Sequence, residues 1–61
     1  MGFHITELNA ETGKIVVEDP DFGLQFEFVE PDFEEVRIKD DYDLHIKTKH
    51  GELKILPILE K

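Results

Sequence analysis

Apolar and polar residues alternate with a period of two in short runs separated by turn residues, the pattern of strands that bury one face. The clearest run is Leu24-Gln25-Phe26-Glu27-Phe28-Val29. Leu24, Phe26 and Phe28 fall on one side of it, Gln25 and Glu27 on the other. Residues 3–8 and 14–18 read as a first hairpin, because Asn9-Ala10-Glu11-Thr12-Gly13 between them has the chemistry of a turn. Residues 44–49 and 52–55 read as a last hairpin across a two-residue turn at His50-Gly51. That loop length sets Thr48 opposite Leu53 and Ile46 opposite Ile55, so Ile46, Thr48, Leu53 and Ile55 are expected on the inner face.

Residues 32–39 carry two signals. Glu35-Val36-Arg37-Ile38-Lys39 alternates like a strand, while Asp32 followed by Glu35 has the spacing of a helix-capping box, and Glu35 and Lys39 stand four apart. The β-branched Val36 and Ile38 favour the strand, and one short helical turn near Asp32 leading into it satisfies both signals. The whole pattern predicts one all-β domain over residues 1–61. Its expected form is a five- or six-stranded antiparallel meander closed into a small SH3-like or OB-like barrel.

The expected core is Phe3, Ile5, Ile15, Val17, Leu24, Phe26, Phe28, Val36, Ile38, Leu44, Ile46, Leu53 and Ile55. Val29, Leu56, Ile58 and Leu59 are left without a place in it. A terminal strand bent at Pro57 to close the barrel would use the last three. An exposed apolar edge would instead make the stretch from Leu56 to Leu59 a homodimer contact.

Charge changes the picture more than composition does. Residues 1–36 hold ten of the fifteen acids (Glu7, Glu11, Glu18, Asp19, Asp21, Glu27, Glu30, Asp32, Glu34, Glu35) against Lys14 alone, whereas residues 37–61 hold five acids against six bases. An acidic field of this kind attracts basic surfaces and disfavours direct nucleic-acid binding, which needs clustered Lys and Arg. A basic strip does exist, in Arg37, Lys39, Lys47, Lys49 and Lys54 with His50 at a hairpin tip, but the strand aromatics Phe26 and Phe28 lie in the other half. Weak single-strand binding by a barrel is therefore the third reading of function.

The chemistry that catalysis requires is sparse. There is no cysteine and no serine, so thiolate and serine nucleophiles are excluded, as are disulfides. The acidic runs at Glu18-Asp19-Pro20-Asp21 and Asp40-Asp41-Tyr42-Asp43 lack the alternating ligands of a calcium loop, and His4, His45 and His50 lack zinc spacing. Four scattered glycines build no phosphate loop. A chain this short buries only about 60% of its unfolded surface, which leaves little room for a water-excluding pocket. The expectation is a non-enzyme without cofactor or metal. With no basic-then-apolar leader and no long apolar run, a cytoplasmic location without membrane attachment is expected.

The remaining motif is a pair, Pro20-Asp21-Phe22 and Pro31-Asp32-Phe33, each preceded by an acid and each suited to a type I turn. They bracket a strand that rises roughly 20 Å, so they are expected at opposite ends of the domain. Phenylalanine inside an acidic rim is the composition of a surface that docks a basic protein. Asp19, Asp21, Phe22, Glu30, Asp32 and Phe33 are accordingly the candidate partner-binding residues of a regulatory interaction module. A nucleic-acid mimic of the phage-inhibitor type, with carboxylates in place of phosphates, is the alternative.

The stretch Glu7-Leu8-Asn9-Ala10-Glu11-Thr12-Gly13-Lys14 resembles the first hairpin of cold-shock domains over eight residues. Where that family sets stacking aromatics, this chain has Glu7, Leu8, Ile15 and Val16. The resemblance therefore implies a hairpin and carries over no base-binding site.

Overall fold

The computed structural model describes residues 2–40 and 42–58. They form six antiparallel strands: β1 (His4–Asn9), β2 (Lys14–Asp19), β3 (Leu24–Val29), β4 (Phe33–Lys39), β5 (Asp43–Thr48) and β6 (Leu53–Pro57). The order is that of a meander, split into two three-stranded sheets, β1-β2-β3 and β4-β5-β6. Each sheet has a bulge in its first strand, between Ile5 and Glu7 in one and between Phe33 and Glu35 in the other. No helix occurs among the described residues, and none is therefore long and apolar enough to cross a membrane.

The inner faces pack against each other. The central strands contribute Ile15 and Val17 from β2 and Leu44 and Ile46 from β5, all essentially without solvent contact. Around them lie Ile5, Leu24, Phe26, Phe28, Val36 and Ile38, as the alternation requires. Phe3 closes one side with its ring centroid 5.7 Å from that of Phe26, inclined at 57°. Principal extents of 34 × 21 × 14 Å leave room for two facing sheets in the thin direction and no more. Val16 breaks the alternation, lying on the outward side between Glu7 and Glu27 and yet only 4% exposed, and Leu8 breaks it the other way, paired with the inward Ile15 and yet exposed.

Each turn has a local cause. Asn9 caps the first with its side-chain oxygen, which accepts from the N–H groups of Glu11 (2.9 Å) and Thr12 (3.3 Å). Asp19 is buried and does the same for the second, accepting from the Asp21 N–H at 3.0 Å. The third turn, residues 30–33, closes through Phe33 N–H to the Glu30 carbonyl at 3.2 Å. It replaces the helical turn expected near Asp32. The side-chain oxygen of Glu30 takes the Asp32 N–H, and Glu35 turns to Arg37 rather than back to Asp32, so no capping box forms.

The sheets do not close into the expected barrel. Closure would need β3 to pair with β4 and β1 with β6, and neither ladder occurs among the described residues, while the backbone groups of the connector between β3 and β4 are bonded elsewhere. The Glu30 N–H donates to Gly13 O (2.9 Å) in the first hairpin, Pro31 has no N–H, and Asp32 O accepts from Lys49 N–H (2.9 Å) in the last. The connector thereby clamps the tips of two hairpins instead of extending a sheet.

The second departure is the register of β6. Thr48 N–H donates to Glu52 O and Gly51 has φ +84°, so the loop is three residues long, Lys49-His50-Gly51, with the glycine in the left-handed position such a loop demands. Lys47 then faces Leu53, Ile46 faces Lys54 and His45 faces Ile55. One extra loop residue flips the strand. Leu53 and Ile55 move to the outside, 62% and 55% exposed, while Leu56 packs on the core and Ile58 is buried at 6%. Phe33, Tyr42 and Leu56 complete the core in their stead, with Ile58 held by its N–H to Tyr42 O at 2.7 Å. Leu59 lies outside the described residues.

This register predicts that Ile58→Ala destabilises by about 2 to 5 kcal/mol. Ile55→Ala changes stability by no more than about 1 kcal/mol. Equal losses in denaturant titrations contradict the register. Gly13 and Gly51 both have positive φ, but a Cβ on Gly13 would stand 2.5 Å from Pro31 Cα while one on Gly51 meets nothing. Gly51→Ala is expected to cost about 1 kcal/mol for backbone strain, and Gly13→Ala at least about twice that. Indistinguishable thermal midpoints for the two variants refute the tight crossing at Pro31.

Candidate functional site

Strand register distributes the charges over two outer faces. On the β1-β2-β3 sheet the outward positions include His4, Glu7, Lys14, Val16, Glu18, Gln25, Glu27 and Val29, so one carboxylate stands on each strand against Lys14 alone. Lys14 Nζ lies 3.9 Å from Glu7, and Glu18 accepts a hydrogen bond of 2.8 Å from the Thr6 hydroxyl. On the β4-β5-β6 sheet the outward positions make three rows: Glu35, Lys47, Leu53; Arg37, His45, Ile55; and Lys39, Asp43, Pro57. Three cations there face two carboxylates. Arg37 donates twice to Glu35, through Nη2 at 2.7 Å and Nε at 3.1 Å, a pair within one strand. Glu35, Arg37, Lys39, His45, Lys47 and Leu53 line a groove of about 270 Å³.

The six residues singled out from the sequence do not share one environment. The two Pro-Asp-Phe turns lie at opposite ends of β3, since Asp19 pairs with Leu24 at one end and Lys14 with Val29 at the other. At the first end Phe22 is 77% exposed beside the exposed Asp21, while Asp19 is withdrawn as the turn's cap. At the second end Phe33 packs against the core. There Asp32 lies 3.5 Å from His50 Nε2, and Glu30 is bonded to Lys54 Nζ. Of the basic strip, Arg37, Lys39 and Lys47 share a face with His45, whereas Lys54 points the other way, to Glu30. Leu53 and Ile55 face outward because the loop has three residues, where a two-residue loop would have turned them inward. Their only sequence trace is that Lys49-His50-Gly51 also fits a three-residue turn ending in glycine.

The Glu30–Lys54 pair ties the connector to β6. Its hydrogen bond to Lys54, with that from the Asp32 N–H, holds the Glu30 carboxyl below its ordinary value of 4.5. The same bond holds Lys54 above its ordinary 10.5. Among the described residues no three His, Asp or Glu side chains converge on a metal-sized space, and no buried side-chain polar atom lacks a partner. Comparison with protein families, curated proteins and solved structures finds no match for this chain.

A pH dependence follows from the pair. The lowered Glu30 contributes stability that is complete above 4.5 and lost as pH falls through its folded-state value. The raised Lys54 contributes stability that is complete below 10.5 and lost as pH rises through its own. Glu30→Gln therefore lowers the thermal midpoint by a constant amount across the neutral range, and the gap to wild type closes in acid and narrows with salt. A gap that survives undiminished in strong acid shows that the Glu30 side chain acts through packing instead.

Proposed function

We propose that this protein is a non-catalytic interaction module that docks its acidic β1-β2-β3 side on a basic surface of a partner protein. The observation that carries this reading is Phe22, a large apolar side chain held out at 77% exposure on a capped turn. The turn stands next to the pair of Glu18 and Gln25 at the end of the acidic sheet. An aromatic anchor inside a charged rim divides the work of binding in a familiar way. The apolar group supplies affinity when its site is desolvated, and the carboxylates Glu7, Glu18, Asp21 and Glu27 supply steering and orientation. Of the residues expected from the sequence, Asp21 and Phe22 serve this surface directly. Asp19 serves it by shaping the turn, whereas Glu30 and Asp32 belong to the connector at the other end and Phe33 opens β4 against the core.

Nucleic-acid mimicry asks for rows of acids at phosphate-like spacing, and the acidic sheet has one carboxylate per strand. A general protein-binding rim needs no such row. The cytoplasm is the compartment in keeping with a disulfide-free chain.

Immobilised protein is expected to retain a specific binder from lysate of the source cells. Phe22→Ala should speed dissociation of that binder by at least about 10-fold, the equivalent of about 1.4 kcal/mol. Charge reversal of Glu18, Asp21 and Glu27 to Lys should slow association and weaken its salt dependence, with folding unchanged by circular dichroism. Unaltered kinetics in both variants eliminate this surface. Competition by duplex DNA for the same binder, together with insensitivity to Phe22→Ala, assigns the mimic instead.

A further inference from the structure

We propose that a second copy of this chain pairs with β6 along its free edge, antiparallel about a two-fold axis at Lys54, fusing two β4-β5-β6 sheets into one. The inference is independent of the acidic docking surface, which lies on the other sheet.

The edge is open by register. β6 ends the strand order of its sheet, and the bonds Thr48 N–H to Glu52 O and Ile58 N–H to Tyr42 O show which backbone groups point toward β5. They are those of the even-numbered residues of the terminal segment. Leu53 and Ile55 consequently direct their N–H and C=O groups away from the sheet, and no described residue pairs with them. The same two residues expose their side chains on the outer face. An edge that is unpaired in its backbone and apolar in its side chains is the kind that natural sheets cover.

Self-pairing satisfies this edge in one register better than in its neighbours. With the two-fold axis at Lys54, Leu53 of each copy faces Ile55 of the other, and both residues exchange N–H and C=O bonds across the seam. The four apolar side chains meet as two cross-strand pairs on one face. An axis at Ile55 would oppose Leu53 to Pro57, which has no N–H to give. An axis at Leu53 would oppose Ile55 to Gly51 in the loop. Pro57 thus limits the ladder to its productive register.

Charge favours the same arrangement. Lys54 faces Lys54 of the other copy, but each is already bonded to its own Glu30. Glu52, which shares the parity of Lys54, lies on the diagonal from the second copy's Lys54 and makes an opposite-charge pair in both directions. On the adjoining outer face Arg37, Lys39 and Lys47 are nearly balanced by Glu35 and Asp43, so two copies meet there with little mutual repulsion and the acidic sheets stay apart.

The chain has no cysteine, which makes the seam directly testable. Lys54 on the axis occupies a non-hydrogen-bonded pair, where opposed Cα atoms lie within disulfide reach at about 4.5 Å. In glutathione redox buffer, Lys54→Cys is expected to cross-link to itself at least about 10-fold faster than Leu53→Cys, whose counterpart sits on the diagonal. Wild-type protein should show a reversible monomer–dimer equilibrium in sedimentation, with the Leu53 and Ile55 amides becoming protected from exchange as concentration rises. Ile55→Lys should shift that equilibrium at least about 10-fold toward monomer while keeping the wild-type melting temperature of the dilute monomer. A monomer at every concentration overturns the proposal, as does equal cross-linking of the two cysteine variants. A dimer that cross-links through Leu59→Cys and not Lys54→Cys transfers the contact to the terminal segment and also overturns it. Protection of the Leu53 and Ile55 amides only on adding a foreign peptide would assign the edge to another partner.

Discussion

The crossing of residues 30–32 over the first hairpin is the constraint on which the rest of this structure depends. It is the sole covalent link between the sheets, and it is only three residues long. Glu30 gives its N–H to Gly13, Pro31 lies against the Cα of Gly13, and Asp32 accepts from Lys49. Side chains repeat the pattern, with Glu30 reaching Lys54 and Asp32 approaching His50. Each contact joins the connector to a hairpin tip or edge that is remote in sequence. The relative placement of two small sheets is thereby specified at one corner, and apolar packing of β2 on β5 fills the space between. A chain of this length buries too little surface for packing alone to select one arrangement firmly, so polar contacts at the corner contribute specificity as well as stability.

Strands were legible wherever alternation was uninterrupted and a turn had recognisable chemistry. β1, β2, β3 and β5 needed nothing beyond period two and the Asn-x-x-x-Gly and Asp-Pro-Asp-Phe-Gly turns. β4 was legible as a strand once Val36 and Ile38 were weighed above the capping-box spacing. The structure shows why the box was misleading, because Glu30 and Arg37 claim the partners it would need. Barrel closure was not legible. It depends on where three connector residues send their hydrogen bonds, and apart from Pro31, which has no N–H, that is decided by partners seventeen positions away on either side, Gly13 for Glu30 and Lys49 for Asp32.

The face assignment of β6 was lost to a single residue. Leu53-Lys54-Ile55-Leu56 is apolar at three of four positions, so its own pattern does not say which side is inner, and the loop length alone decides. Taking His50-Gly51 as the whole turn put Leu53 and Ile55 inside and left Leu56 and Ile58 unplaced. Adding Lys49 to the loop exchanges the two pairs. The unplaced residues were therefore a visible sign that the register was off by one, since a consistent register leaves no surplus of large apolar side chains.

The same accounting bears on the candidate surfaces. Acids that are contiguous along the first half of the chain are dispersed by the fold, and Glu35 even lies on the outer face of the second sheet, bonded to Arg37. Some line the outer face of the first sheet, some cap turns as Asp19 does, and Glu30 and Asp32 hold the connector in place. The outer-face acids of the first sheet, with Asp21 and Phe22 at their margin, make up the surface proposed above for a basic partner. The basic residues are sorted as well, since Lys54 is spent on Glu30 while Arg37, Lys39 and Lys47 stay on the opposite face beside Leu53 and Ile55. Charge that is segregated along the chain stays a difference between two sheets because each sheet is built from consecutive strands. A barrel would have wrapped the same charges around one surface. The open two-sheet meander keeps them on separate sides, so the acidic face and the exposed Leu53–Ile55 edge, the two surfaces proposed above for docking, do not compete for the same ground.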